Sequence, residues 1–196
     1  MLLLSLGLLV FLGVHSIRIF AADWRATQIE RHGEAAWKGG YSLLSLAGLV
    51  MIGLGYGAAR IGQPDLWPPP VWVRHLTFLI TLAAFVLLVA AYVPGNRIRR
   101  AVRHPMVLGV QLWALAHLLA NTRLADFLLF GTFLIWAIML FRHSLHHGRA
   151  EPAWMPADPP ASAARDLAVL LIAIPVWGIF LLWGHALLIG VRPLGT

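Results

Sequence analysis

The sequence predicts an all-α, polytopic membrane bundle of about six transmembrane helices. Three observations predict it. The 196-residue chain is 60% hydrophobic and only 12% charged, against about 25% charged residues in a soluble domain, and its mean hydropathy is +0.78. So little polar surface does not cover a globule in water. Six apolar runs follow one another, and a membrane crossing takes about 20 apolar residues. Finally, the cations gather in alternate connections between the runs, as they do in a chain threaded back and forth through a bilayer.

The runs predict helices over about 2–20, 41–59, 75–93, 104–120, 126–142 and 166–190, in a single membrane domain over 1–193. The first begins Met1-Leu2-Leu3-Leu4 with no basic segment ahead of it and carries His15 and Arg18, so it reads as a retained helix and not a cleaved signal. The connection after it is polar and holds His32. Between the second and third runs, Pro64–Pro70 contains three consecutive prolines flanked by Trp67 and Trp72, which suits a rigid loop with indoles at headgroup level. The fourth run is the least apolar and opens at Arg103-His104-Pro105, because proline is tolerated in the first turn of a helix. Only 121–125 separate it from the fifth, which demands an antiparallel turn. Residues 151–165, rich in Pro and Ala, read as an irregular linker, and the sixth run is interrupted by Pro175 and Gly184.

Connections one, three and five hold eleven of the cations: Arg18, Arg25, Arg31, Lys38, Arg97, Arg99, Arg100, Arg103, Arg142, Arg149 and Arg165. The opposite side holds four, Arg60, Arg74, Arg123 and Arg192. Arg-rich short loops stay in the cytoplasm, which puts both termini on the periplasmic side. The net charge of +7 therefore reads as membrane orientation and contact with anionic lipid headgroups, not as nucleic-acid binding. With no cysteine in the chain, disulfides, thiolate metal sites, Fe–S clusters and a Cys nucleophile are excluded.

Polar residues inside apolar runs are costly in lipid unless partnered, and they carry the functional signal. His15, His104 and His117 stand out. Trp113, His117 and Asn121 recur every four residues and form one polar-aromatic stripe, with Gln111 on another face. His104 reads equally as a residue that caps the fourth helix. His143, His146 and His147 share a helix face with metal-ligand spacing; a di-iron desaturase needs several such boxes and this chain has one, which also reads as a basic helix end complementing the dipole. His75 and His185 are weaker candidates, His185 lying beside Gly184. Two neutral imidazoles from different helices are a standard way to hold haem iron.

The segment Arg103-His104-Pro105-Met106-Val107-Leu108-Gly109-Val110-Gln111-Leu112-Trp113-Ala114-Leu115-Ala116-His117-Leu118-Leu119-Ala120-Asn121 closely resembles the hallmark of the NnrU family, and His15-Ser16 matches that family's first helix. The resemblance implies a bacterial inner-membrane protein associated with denitrification, tied to nitrite and nitric oxide reductase. It also implies kinship with zeta-carotene isomerase, which uses haem b to isomerise a cis double bond in an apolar polyene. That enzyme's proposed histidine ligands fall on His15 and His117, so the resemblance implies a haem b site at these residues with Trp113 and Asn121 nearby. His104 is the rival ligand: His117 lies about 20 Å further along the fourth helix, whereas His104 matches His15 in depth. The isomerase's redox ligand switch uses a cysteine where this chain has Ala114. The expected partners are membrane lipids and either denitrification components or a small apolar substrate. The two readings are a haem-binding accessory or redox protein and a haem-dependent isomerase.

Overall fold

The computed structural model of the protein describes residues 1–147 and 159–194, with no strand among them. Five helices are long and apolar enough to cross a membrane: Leu2–Phe20, Glu34–Arg60, Val71–Tyr92, Leu124–His146 and Ala163–Ile189. A sixth, Pro105–Ala120, is apolar but shorter; at 16 residues it spans about 24 Å, short of a hydrocarbon core of about 30 Å. Most of the predicted linker, 151–158, and residue Arg149 lie outside the described residues, as does the side chain of His147.

The described residues cluster into two compact units. The first comprises Met1–Pro68 and Asn121–Trp136. It holds α1 (Leu2–Phe20), α2 (Ala22–His32), α3 (Glu34–Arg60), the short α7 (Leu124–Asp126), a π-helical segment π1 (Phe127–Gly131), and the start of α8 (Thr132–His147). α1 packs on α3, and glycine makes that possible. A Cβ at Gly7 would stand 2.7 Å from the Ile52 nitrogen and one at Gly48 2.8 Å from the Phe11 nitrogen, while one at Gly55 would strike the Leu4 backbone. Between membrane helices the association is driven by such backbone approach, since lipid is as apolar as the side chains.

α2 is a difference from the sequence reading, which leaves 22–32 as a connection. Its composition is polar, but Asp23 sits in its first turn and Arg31 and His32 in its last, each complementing the helix dipole. His32 therefore closes a helix. α3 likewise starts at Glu34, ahead of the predicted 41, and its exposed first turns carry the Glu34–Lys38 ion pair at 2.9 Å at the favourable i,i+4 spacing.

The second unit comprises Pro69–Ala120 and Ala137–Thr196. It holds α4 (Val71–Tyr92), α5 (Arg97–Val102), α6 (Pro105–Ala120), the rest of α8, α9 (Ala163–Ile179), a second π segment π2 (Phe180–Gly184) and α10 (His185–Ile189). α4 packs on α6 and on α9, with Ala84, Ala90, Ala114, Ala116, Val169 and Ala173 essentially without exposure. Small residues again set the spacing. The α4–α5 corner is tied by Asn96, only 1% exposed. Its Oδ1 accepts from the Arg99 amide at 2.6 Å as the cap of α5, and its Nδ2 donates to the Ala90 and Val93 carbonyls at 2.8 and 2.5 Å. Asp166, near the start of α9, accepts from the Arg97 amide at 2.6 Å, and the Ser162 amide donates to the Gly95 carbonyl.

Candidate functional site

In the first unit His15 sits within an aromatic cage. Its Nδ1 lies 2.7 Å from the Phe11 carbonyl, one turn back on α1. The Phe11 ring stacks on it at 4.2 Å, with Tyr41 at 5.2 Å and the edge of Trp136 at 6.2 Å. The neighbouring Ser16 hydroxyl accepts from the Trp136 indole at 3.1 Å. A carbonyl can only accept, so His15 Nδ1 carries a proton. Tyr41 also borders an apolar cavity of about 290 Å³, lined by Val14, Ile17, Trp24, Gln28 and Trp37 among others.

The second unit holds the other two predicted histidines. His104 is half-buried and precedes Pro105, and its carbonyl accepts from Leu108 as the first bond of α6. The predicted helix start is therefore the observed one. The residue before it, Arg103, has φ 60 and ψ −46, and the His104 amide donates back to Val102 at 2.6 Å. Those are the marks of a γ-turn of the strained kind, and Arg103 is the one non-glycine residue at positive φ among those described. The His104 ring meets Phe141 edge-on at 6.1 Å.

His117, in the last turn of α6, repeats the geometry of His15: its Nδ1 lies 2.8 Å from the Trp113 carbonyl, and the Trp113 ring is 5.2 Å away. The predicted Trp113–His117 pairing is thus present, whereas Asn121 is the first residue beyond α6 and falls in the other unit. Gln111, on its different face, donates to the Ala137 carbonyl at 3.0 Å. Ala114 is fully buried. The ring the sequence reading undervalues is His185: it lies 6.5 Å from His117 with the planes 11° apart. His185 Nδ1 donates to the Val191 carbonyl at 2.8 Å. Its neighbour is a tertiary contact, and only the interruption at Gly184 hints at it in the sequence.

His143 and His146 lie on α8, His146 exposed. No group of three or more His, Asp or Glu side chains placed to hold a metal ion occurs among the described residues.

A buried charge in the first unit also escapes the sequence reading, which uses Asp126 only as a helix boundary. Asp126 is 1% exposed. It accepts from the Tyr56 hydroxyl at 2.6 Å and from the Arg123 amide at 2.9 Å, and the Arg60 Nε stands 3.6 Å away without a hydrogen bond of its own. Arg60 also lies over the Tyr56 ring at 5.2 Å. Around this core, Arg123 pairs with Asp65 at 3.0 Å and Gln63 accepts from the Ala125 amide. The signal was available: Tyr56 and Arg60 are one turn apart on α3, and an acid beside an apolar run calls for a partner. These bonds fasten the Gln63–Leu66 segment to the turn at 122–126, a structural task.

The family model of the NnrU protein matches residues 3–193 of the chain. The chain matches no curated protein and no solved structure.

Proposed function

The chain belongs to the NnrU family, and from that premise we propose that it is a haem b-binding protein of the bacterial inner membrane with an accessory or redox role linked to denitrification and nitric oxide. The observation that carries the reading is the donor set. Histidines that ligate a metal donate their other ring N–H to a carbonyl or carboxylate, which fixes the tautomer and the ring. His15, His117 and His185 all do so, through Phe11, Trp113 and Val191. Each lies inside or at the end of an apolar helix, and haem iron takes imidazole ligands. Haem in such a setting supplies one-electron redox chemistry. Trp113, beside the His117 ring, would contribute apolar shielding. His117 would hold the haem, with His15 as its partner on the family resemblance.

The isomerase reading is weaker because of Ala114. At the place of the cysteine that would switch ligands there is a buried methyl group, which cannot coordinate iron.

The test is an optical spectrum of the protein purified in detergent after expression with a haem precursor. Stoichiometric haem, with sharp Soret and α bands on dithionite reduction, is the expected result. A colourless protein would overturn the reading.

A further inference from the structure

We propose that the slot between α1, α2 and α3 is a binding site for an anionic phospholipid, whose acyl chain lies in the apolar cavity and whose phosphodiester meets Arg25. The site stands apart from the haem reading and uses the first unit alone. Two facing stripes of residues make the slot. On α2, Trp24, Gln28 and His32 recur every four residues and share one face. On α3, Ala36, Gly40 and Leu44 do the same, with Trp37 and Tyr41 alongside. Ala36 and Gly40 are small, and a Cβ at Gly40 would meet nothing within 4 Å. α2 packs on both α1 and α3, yet these small residues leave a cavity of about 290 Å³, bounded on the α1 side by Val14 and Ile17.

The slot has a polar end and an apolar end. From Ala36 to Leu44 it runs along α3 for about 12 Å. Its far end, at Val14 and Leu44, lies inside the apolar spans Leu2–Phe20 and Glu34–Arg60. Its near end, at Gln28 and His32, belongs to a polar helix with no buried residue, a composition that suits headgroup depth. Trp24 is 52% exposed there, and the Trp24 and Trp37 rings meet edge-on at 5.7 Å; indoles favour this depth. Pockets for whole compact ligands run from about 300 Å³ upward. This one, at the lower end of that range and open at its surface, takes the upper part of an acyl chain.

Arg25 selects the charge of the head. Its guanidinium lies over the Trp37 ring at 5.8 Å, and it makes no ion pair among the described residues. Glu34, an acid within its field, is engaged by Lys38 at 2.9 Å. Asp23 and Glu30 lie off the Trp24–Gln28–His32 face of α2. Arg25 is also close enough to Tyr41 to act on its hydroxyl, so the cation and the cavity share one mouth. A guanidinium stacked on an indole keeps its edge donors for an incoming phosphate, which it can bind in bidentate fashion. A free phosphate would gain nothing from the apolar slot, and an uncharged apolar molecule nothing from Arg25. A phospholipid uses both.

The experiment equilibrates the full chain, purified in detergent, with mixed micelles of phosphatidylglycerol and phosphatidylcholine of matched chains, and counts retained lipid by native mass spectrometry. Retention of phosphatidylglycerol in preference to phosphatidylcholine is expected. Arg25→Gln should lower that preference about fivefold, as one basic side chain contributes at an anionic surface, while the slot stays occupied. Gly40→Leu fills the slot from a position with open space and should abolish retention of either lipid. Its unfolding temperature should be unchanged or raised, since leucine is the better helix former. In phosphatidylcholine vesicles holding a small fraction of phosphatidylglycerol with brominated chains, tryptophan quenching should saturate for the unaltered chain and lose that component in Gly40→Leu. Equal retention of the two lipids by the unaltered chain, an unchanged preference in Arg25→Gln, or undiminished retention in Gly40→Leu overturns the proposal. So does a neutral apolar molecule that co-purifies with the unaltered chain and is lost in Gly40→Leu, which would assign the slot to that compound.

Discussion

At the scale of single residues, the protein spends its polar groups sparingly and seats them with partners. Asp126 is the sharpest case. With Asp126→Ala, Arg60 and the Tyr56 hydroxyl are left buried without their acceptor, and breaking a buried ion pair on one side costs about 3–5 kcal/mol. The expected outcome is a large fall in the unfolding temperature in detergent, followed by tryptophan fluorescence. Tyr56→Phe removes one hydrogen bond to a charged group and should cost about 1.5–3 kcal/mol. A result for Asp126→Ala within error of the unaltered chain would show that the cluster does not hold the α3–α7 region together. Legibility at this scale is uneven. His15 and His117 announce themselves, since a histidine in an apolar run needs a reason. His185 and Asp126 do not, because what gives each its meaning is a residue far away in the chain: His117 for the one, Tyr56 and Arg60 for the other.

At the scale of elements, apolar length sets the long helices, and glycine sets how closely they pack. Gly55 touches the Leu4 backbone, so Gly55→Ala should force α1 from α3 at a cost of about 1–3 kcal/mol. Gly53, on the same helix, has open space at its Cβ, and Gly53→Ala should be neutral or stabilising by up to about 1 kcal/mol. Thermal unfolding of the two variants side by side checks this, and equal effects would count against the close approach. The long helices are readable because hydrophobic length is a one-dimensional property. α2 is readable only through its end charges, since its polar composition hides it among connections. The π segments are not readable at all. Phe180–Gly184 and Phe127–Gly131 lie in helices that are apolar on most faces, and a turn with one extra residue leaves no break in a pattern that has no polar stripe to interrupt.

For the whole molecule, membrane residence follows from composition and the five long apolar helices, and the arginines predict its sidedness. The four cations Arg97, Arg99, Arg100 and Arg103 flank and form α5, and the positive-inside rule predicts that α5 stays on the cytoplasmic face. Counting crossings from there predicts a periplasmic C-terminus. Alkaline phosphatase fused after Thr196 should then be active, and a fluorescent protein at the same place dark. The reverse pattern would mean an odd number of crossings, with the 16-residue α6 the first suspect. The fold class, the family and the order of the long helices are all present in the sequence. The grouping of helices into two units is not, because it depends on which small residues meet.

The π turn before His185 has a genetic consequence. It holds one residue more than an ordinary turn, so one codon lost in 180–184 would let the helix close to the α pattern with His185 kept beside His117, whereas one codon gained would swing His185 away and leave both side chains intact. Such an insertion would preserve hydropathy and the motif around His117, and yet it would unmake the pair. Among relatives, the extra residue itself is the mark to look for, and an alignment that closes it as a trivial gap would place the wrong residue opposite His185.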